Sequence, residues 1–98
     1  LKSHYSPTKK LVFCKIKTTT QRTSQKVGVI TFQSPVAVHA DEQIILSPTG
    51  SLTEAAKNLF GALRQMDSTD VDIILAEPVP DIGLGRAIND RLKRAAAD

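Results

Sequence analysis

Tryptophan is missing from this 98-residue sequence, cysteine and methionine occur once each, and only four residues are aromatic. The core is therefore expected to rest on Ile, Leu, Val and Ala, which suits helices packed against a buried sheet. Cys14 has no second cysteine with which to close a disulfide, so a reducing cytoplasm is the simplest home. No apolar run approaches the ~20 residues needed to cross a bilayer, and the first residues lack a charged-then-apolar signal pattern. No membrane role is expected. His4 and His39 lie far apart with no Cys or carboxylate at ligand spacing, so no metal site is expected. Paired-carboxylate, P-loop and Ser–His–Asp signatures are also missing, so no catalytic residue is assigned.

Acidic residues are absent from residues 1–40, which carry seven basic ones: Lys2, Lys9, Lys10, Lys15, Lys17, Arg22 and Lys26. Residues 41–98 hold six basic and ten acidic residues, so the two parts stand at +7 and −4. A basic end attracts nucleotide, RNA or acidic protein. It also serves as the solvated, repulsive edge of a sheet, and the lack of interleaved aromatics beyond Tyr5 and Phe13 favours that second reading.

What is present reads as one domain, since the length does not divide into two cores. Residues 1–10 form a polar, basic linker containing Pro7, and residues 11–98 the domain. Strands are predicted over residues 11–17, 27–32, 43–46 and 71–76. The last ends in an apolar run without alternation, which suits a central strand covered on both faces. Leu52, Ala55, Ala56, Leu59, Phe60, Leu63 and Met66 fall on one helical stripe, and Ser51 with Glu54 has the spacing of a capping box. A second helix is predicted over residues 84–97, with Leu84, Ala87, Ile88, Leu92, Ala95 and Ala96 facing the core and most of Asn89, Arg91, Lys93 and Arg94 solvated. Asp90 and Arg94 are spaced to pair along it. The element order implies a layered α/β domain, a mostly parallel sheet of about four strands with helices packed on it.

Gly83, Gly85 and Arg86 sit between a strand and a helix. Free N–H groups at a helix start, with Arg86 beside them, suit an anion. The alternative is that the glycines allow a tight turn and close helix–sheet packing. The dinucleotide fingerprint fails at its third glycine, where Ile88 stands.

Four separated stretches carry a family resemblance, three of them within the domain. The opening Leu1-Lys-Ser-His-Tyr-Ser-Pro7 resembles the Ser-His-Tyr-x-Pro linker of two-domain threonylcarbamoyl-AMP synthases. Residues 56–64, residues 72–77 and residues 83–92 are similar, in order and spacing, to that family's C-terminal domain, which is Rossmann-like. The resemblance implies a parent enzyme that converts threonine, bicarbonate and ATP (with Mg) into threonylcarbamoyl-AMP and pyrophosphate. The product serves tRNA modification through other proteins, so tRNA is only an indirect partner. It also implies a catalytic YrdC-like domain N-terminal to this one in the same polypeptide, and no cofactor in this chain. By the same resemblance His4, Tyr5, Ser6 and Pro7 belong to a lid over the neighbour's nucleotide site, or else dock on their own domain. Family members often place a helix between the first two strands, where only residues 18–25 are available. A parallel crossover needs at least ~10–12 residues, so the connection is either a compressed helical turn or joins strands that pair differently. The competing expectation is a freestanding Rossmann-like module that binds a nucleotide or partner protein through the turn at Gly83–Arg86.

Overall fold

The computed structural model describes residues 8–16, 25–35 and 40–97. Its elements run β1 (Lys10–Phe13), β2 (Val27–Thr31), β3 (Glu42–Ile45), α1 (Leu52–Asp67), β4 (Ile73–Ala76) and α2 (Leu84–Ala96). All six predicted elements form, in the predicted order. β1 is shorter than residues 11–17 suggest, and Cys14 follows it, half-buried, its N–H donating to the carbonyl of Ala76 at 3.0 Å.

The four strands line up in the order β1-β4-β2-β3, and all three pairings are parallel. β1 and β2 are not neighbours, because β4 lies between them and pairs with both. The short connection thus joins strands that pair differently, the second of the two expected outcomes; residues 17–24 themselves lie outside the described residues. β1 is an edge strand, and Lys10 within it and Lys15 just past it are exposed, as a charged, repulsive edge requires.

The register sorts the side chains onto two faces. Leu11 and Phe13, Ile74 and Ala76, and Ile30 share one face, and they join the core with residues of both helices. Val29 and Thr31 of β2 point the other way with Val12, Ile73 and Leu75. β4 is interior to the sheet, but its burial alternates: Ile74 and Ala76 are buried while Ile73 and Leu75 are only half-buried. Full cover on both faces, expected from its apolar run, is therefore not found. An apolar run of four residues satisfies one buried and one half-buried face equally well.

α1 buries Ala55, Leu59, Ala62, Leu63 and Met66, with each large side chain worth roughly 1.5–3 kcal/mol of transfer free energy. Phe60, expected in that stripe, is instead 37% exposed, its ring lying 5.3 Å from the guanidinium carbon of Arg91 on α2. Burial on α2 falls on Gly85, Ile88, Asn89 and Leu92, with Ala95 and Ala96 partly buried against the core. Leu84 and Ala87 face outward, and Asn89 faces inward, contrary to the sequence pattern. Asp90 and Arg94 do pair, at 2.8 Å, on the exposed side.

The capping box is half formed. Ser51 Oγ accepts from the N–H of Glu54 at 3.1 Å. The return arm is missing, since the N–H of Ser51 donates to Ser47 Oγ at 2.8 Å. Ser47 in turn donates to Glu54 Oε1 at 2.6 Å. A buried serine relays the contact that a capping box makes directly.

Candidate functional site at the carboxyl edge of the sheet

Because every strand points the same way, the ends of β2, β3 and β4 and the starts of both helices gather along one edge. In open parallel sheets that edge is where ligands and partners are met. Glu77 follows β4 there. Its N–H donates to the carbonyl of Ile30 at 3.0 Å, and its Oε1 accepts from the N–H of Phe32 at 3.0 Å. One carboxylate thus fastens the ends of the two interior strands together. Between them lies a cleft of about 280 Å³ lined by Phe32, Gln33, Ser34, Pro35, Glu77 and Pro78. In the sequence Glu77 figures only as the end of the family-like stretch over residues 72–77. A carboxylate just past a central strand, opposite a second strand end, is the signal that was available. Nearby, Thr31 is fully buried, and its hydroxyl finds no hydrogen-bond partner.

The chain from β4 to α2 is held by Asn89. Its Oδ1 accepts from the N–H of Val79 and its Nδ2 donates to the carbonyl of Val79, both at 2.9 Å. The same Nδ2 reaches Asp81 Oδ1 at 3.2 Å. A side-chain amide thus satisfies both backbone groups of a buried residue in an irregular segment, where no strand or helix could do so.

The Gly83–Arg86 turn is well defined. Gly83 caps α2 with φ of 51°, in the left-handed region that glycine enters without strain. Gly85 is buried, and a Cβ there would run into the carbonyl oxygen of Pro80. Its N–H donates to the carbonyl of Ile82 at 2.8 Å, and the N–H of Arg86 to that of Gly83 at 3.1 Å. Arg86 Nε donates to the carbonyl of Asp81 at 3.3 Å. Three donors that an anion would need are therefore engaged within the turn, and the glycines have a packing reason to be there. The structure brings Gly83, Gly85 and Arg86 together. His4, Tyr5, Ser6 and Pro7 lie outside the described residues. Among the described residues, no group of three or more His, Cys, Asp or Glu side chains is placed to hold a metal ion, and no helix is long and apolar enough to cross a membrane.

Comparison with known proteins converges on one family. The model of the threonylcarbamoyl-AMP synthase C-terminal domain matches residues 1–97. A threonylcarbamoyl-AMP synthase of Pyrococcus abyssi is 50% identical over 72 residues, covering 74% of this chain and 20% of that protein. One of Bacillus subtilis is 33% identical over 103 residues, covering 96% of this chain and 30% of the relative. The solved structure of P. abyssi Sua5 complexed with L-threonine superposes with a TM-score of 0.74 at 36% identity, over 95% of this chain and 29% of that one. A variant of P. abyssi Sua5 with a histidine and the following tyrosine both replaced by alanine gives 0.62 at 46% identity, over 74% and 21%. The chain thus spans between a fifth and a third of the length of these relatives, and it belongs to the threonylcarbamoyl-AMP synthase C-terminal domain family.

Proposed function

We propose that this chain is the accessory C-terminal domain of an L-threonylcarbamoyladenylate synthase, a nucleotidyltransferase that makes threonylcarbamoyl-AMP and pyrophosphate from threonine, bicarbonate and ATP. The observation that carries the reading is a match along residues 1–97 to that family's C-terminal domain, combined with relatives more than three times as long as this chain. On this reading the chemistry, including ATP and its Mg, belongs to a YrdC-like domain N-terminal to this one in the same cytoplasmic polypeptide. The alternative, a freestanding Rossmann-like module that binds a nucleotide through Gly83–Arg86, draws less support, since that turn spends its donors on itself.

The linker supplies the proposed contact with the reaction. His4 and Tyr5 are the one adjacent His-Tyr pair in this sequence, and a neighbouring histidine and tyrosine are the residues replaced in the P. abyssi variant. A tyrosine offers an apolar ring and a hydroxyl that can bond a phosphate or backbone group. Pro7 narrows the conformations open to such a lid and lowers the entropy lost on closing. In the two-domain enzyme, Tyr5→Ala is expected to lower turnover about tenfold, ~1.4 kcal/mol of barrier, while thermal melts stay nearly unchanged. Unchanged kinetics with a large drop in melting temperature would make Tyr5 a docking residue and end the lid reading.

A further inference from the structure

Three large apolar side chains are conspicuously exposed among the described residues: Phe60, Ile82 and Leu84. Phe60 lies beneath the guanidinium of Arg91. The other two flank Gly83 in a single turn, Ile82 at 64% and Leu84 at 46% exposure, and Pro80 beside them is exposed as well. Isolated exposed leucines mean little, but two on one tip, with a proline, form an apolar prong.

The prong is stiff. Asn89 pins its base through both backbone groups of Val79, Gly85 presses on the Pro80 carbonyl, and the N–H groups of Gly85 and Arg86 close on Ile82 and Gly83. Covering it strands none of these groups, since their hydrogen bonds lie within the turn. A stiff apolar projection, braced by hydrogen bonds that lie within its own turn, is what a docking anchor needs, because little order is lost when it binds.

We infer that Ile82 and Leu84 dock this domain onto an apolar recess of the N-terminal catalytic domain of the same polypeptide; this rests on the accessory-domain reading above. The prong's size selects a tethered partner. A stable complex between free proteins buries about 800 Å² on each side, far more than two partly exposed side chains and a proline provide. A second copy of this chain would face that deficit. A domain joined by a linker meets the prong at an effective concentration of about millimolar, where a small anchor suffices. The relatives supply the partner's scale, since 70–80% of their length lies outside the part this chain matches.

Hydroxyl-radical footprinting of Ile82 and Leu84 tests this in the two-domain protein against the present chain. Oxidation of both side chains is expected to slow on the order of fivefold in the two-domain protein. The double variant Ile82→Ser, Leu84→Ser should speed tryptic cleavage of the linker in the two-domain protein by a similar factor of about five, because cleavage follows the undocked population. Both positions are exposed, so the variant's thermal melt as an isolated domain should not move. Equal oxidation in both forms, with linker cleavage unchanged by the variant, overturns the docking. So does protection of the isolated chain that grows with its concentration, which would make a second copy the occupant. Pyrophosphate release separates the two readings: if deleting this domain leaves turnover intact while the prong is protected, the accessory role fails and the docking stands. Turnover that needs the domain while the prong stays fully labelled would sink the docking alone.

Discussion

At the amino end of the sheet the chain is fastened by carboxylates at or near the surface, and at the carboxyl end by an amide, hydroxyls, glycine turns and the carboxylates of Glu54 and Glu77. Asp67 accepts from the N–H groups of Thr8 and Lys9, Asp72 from that of Lys26, and Asp41 from that of Val27, at 2.8–3.2 Å. Each is a side-chain acceptor for a backbone N–H at or just before the start of a strand, the strand counterpart of a helix cap. At the other end Asn89 and the Ser47–Glu54–Ser51 relay are more deeply buried, while Glu77 walls an open cleft and Ile82 and Leu84 stand in solvent. The amino-end contacts are open to solvent, whereas the carboxyl end combines buried polar contacts with an open cleft and exposed apolar side chains. Among the described residues, the cleft and the exposed apolar pair make the carboxyl edge the candidate site.

Substitutions test that division. Asn89→Ala should be the most damaging polar change, at about 2–4 kcal/mol, because it leaves the N–H and carbonyl of Val79 buried without partners. Asp67→Ala should cost only about 1 kcal/mol, since Thr8 and Lys9 are near enough to solvent for water to replace the carboxylate. Urea denaturation of the two variants gives the order. An equal or reversed ranking would mean that the amino end carries the fold's polar burden.

The smallest effect belongs to the exposed pair of Lys26 Nζ and Asp70 Oδ2, 2.6 Å apart. The hydrogen bond to Asp70, and then its charge, raise the Lys26 pKa; the same bond and the Lys26 charge lower that of Asp70. The Asp70 contribution is therefore present above the ordinary carboxylate pKa and lost as pH falls through the lowered one. The Lys26 contribution is present below the ordinary lysine pKa and lost as pH rises through the raised one. Asp70→Asn should slightly flatten the acid limb of melting temperature against pH, and the difference should shrink in high salt. A salt-independent loss would show that Asp70 acts through something other than this pair.

Much of the fold was legible because its signals are local. The i, i+3, i+4 stripe of α1 located its helix, and β-rich runs bounded by Ser, Pro and Gly located the strands. The inward face of α2 was not legible from apolar residues alone. Gly85, Ile88, Asn89 and Leu92 keep the same spacing, but glycine and asparagine do not register as hydrophobic, so the apolar pattern points to Leu84 and Ala87 in their place. Gly85 is inside because a backbone carbonyl occupies the space of a side chain, and Asn89 because an irregular segment needed both a donor and an acceptor. Both reasons involve residues on another segment. The same holds for Glu77, whose partner Phe32 is 45 residues away. The family, by contrast, was readable from four stretches in register, and the comparisons bear it out over residues 1–97.

Pyrophosphate release is the most direct test of the account's central claim, that this domain assists a threonylcarbamoyl-AMP synthase without performing its chemistry. With threonine, bicarbonate and ATP supplied, the two-domain protein should turn over, and the present chain alone should release no pyrophosphate above background. Turnover by the isolated chain comparable to that of the two-domain protein would contradict it.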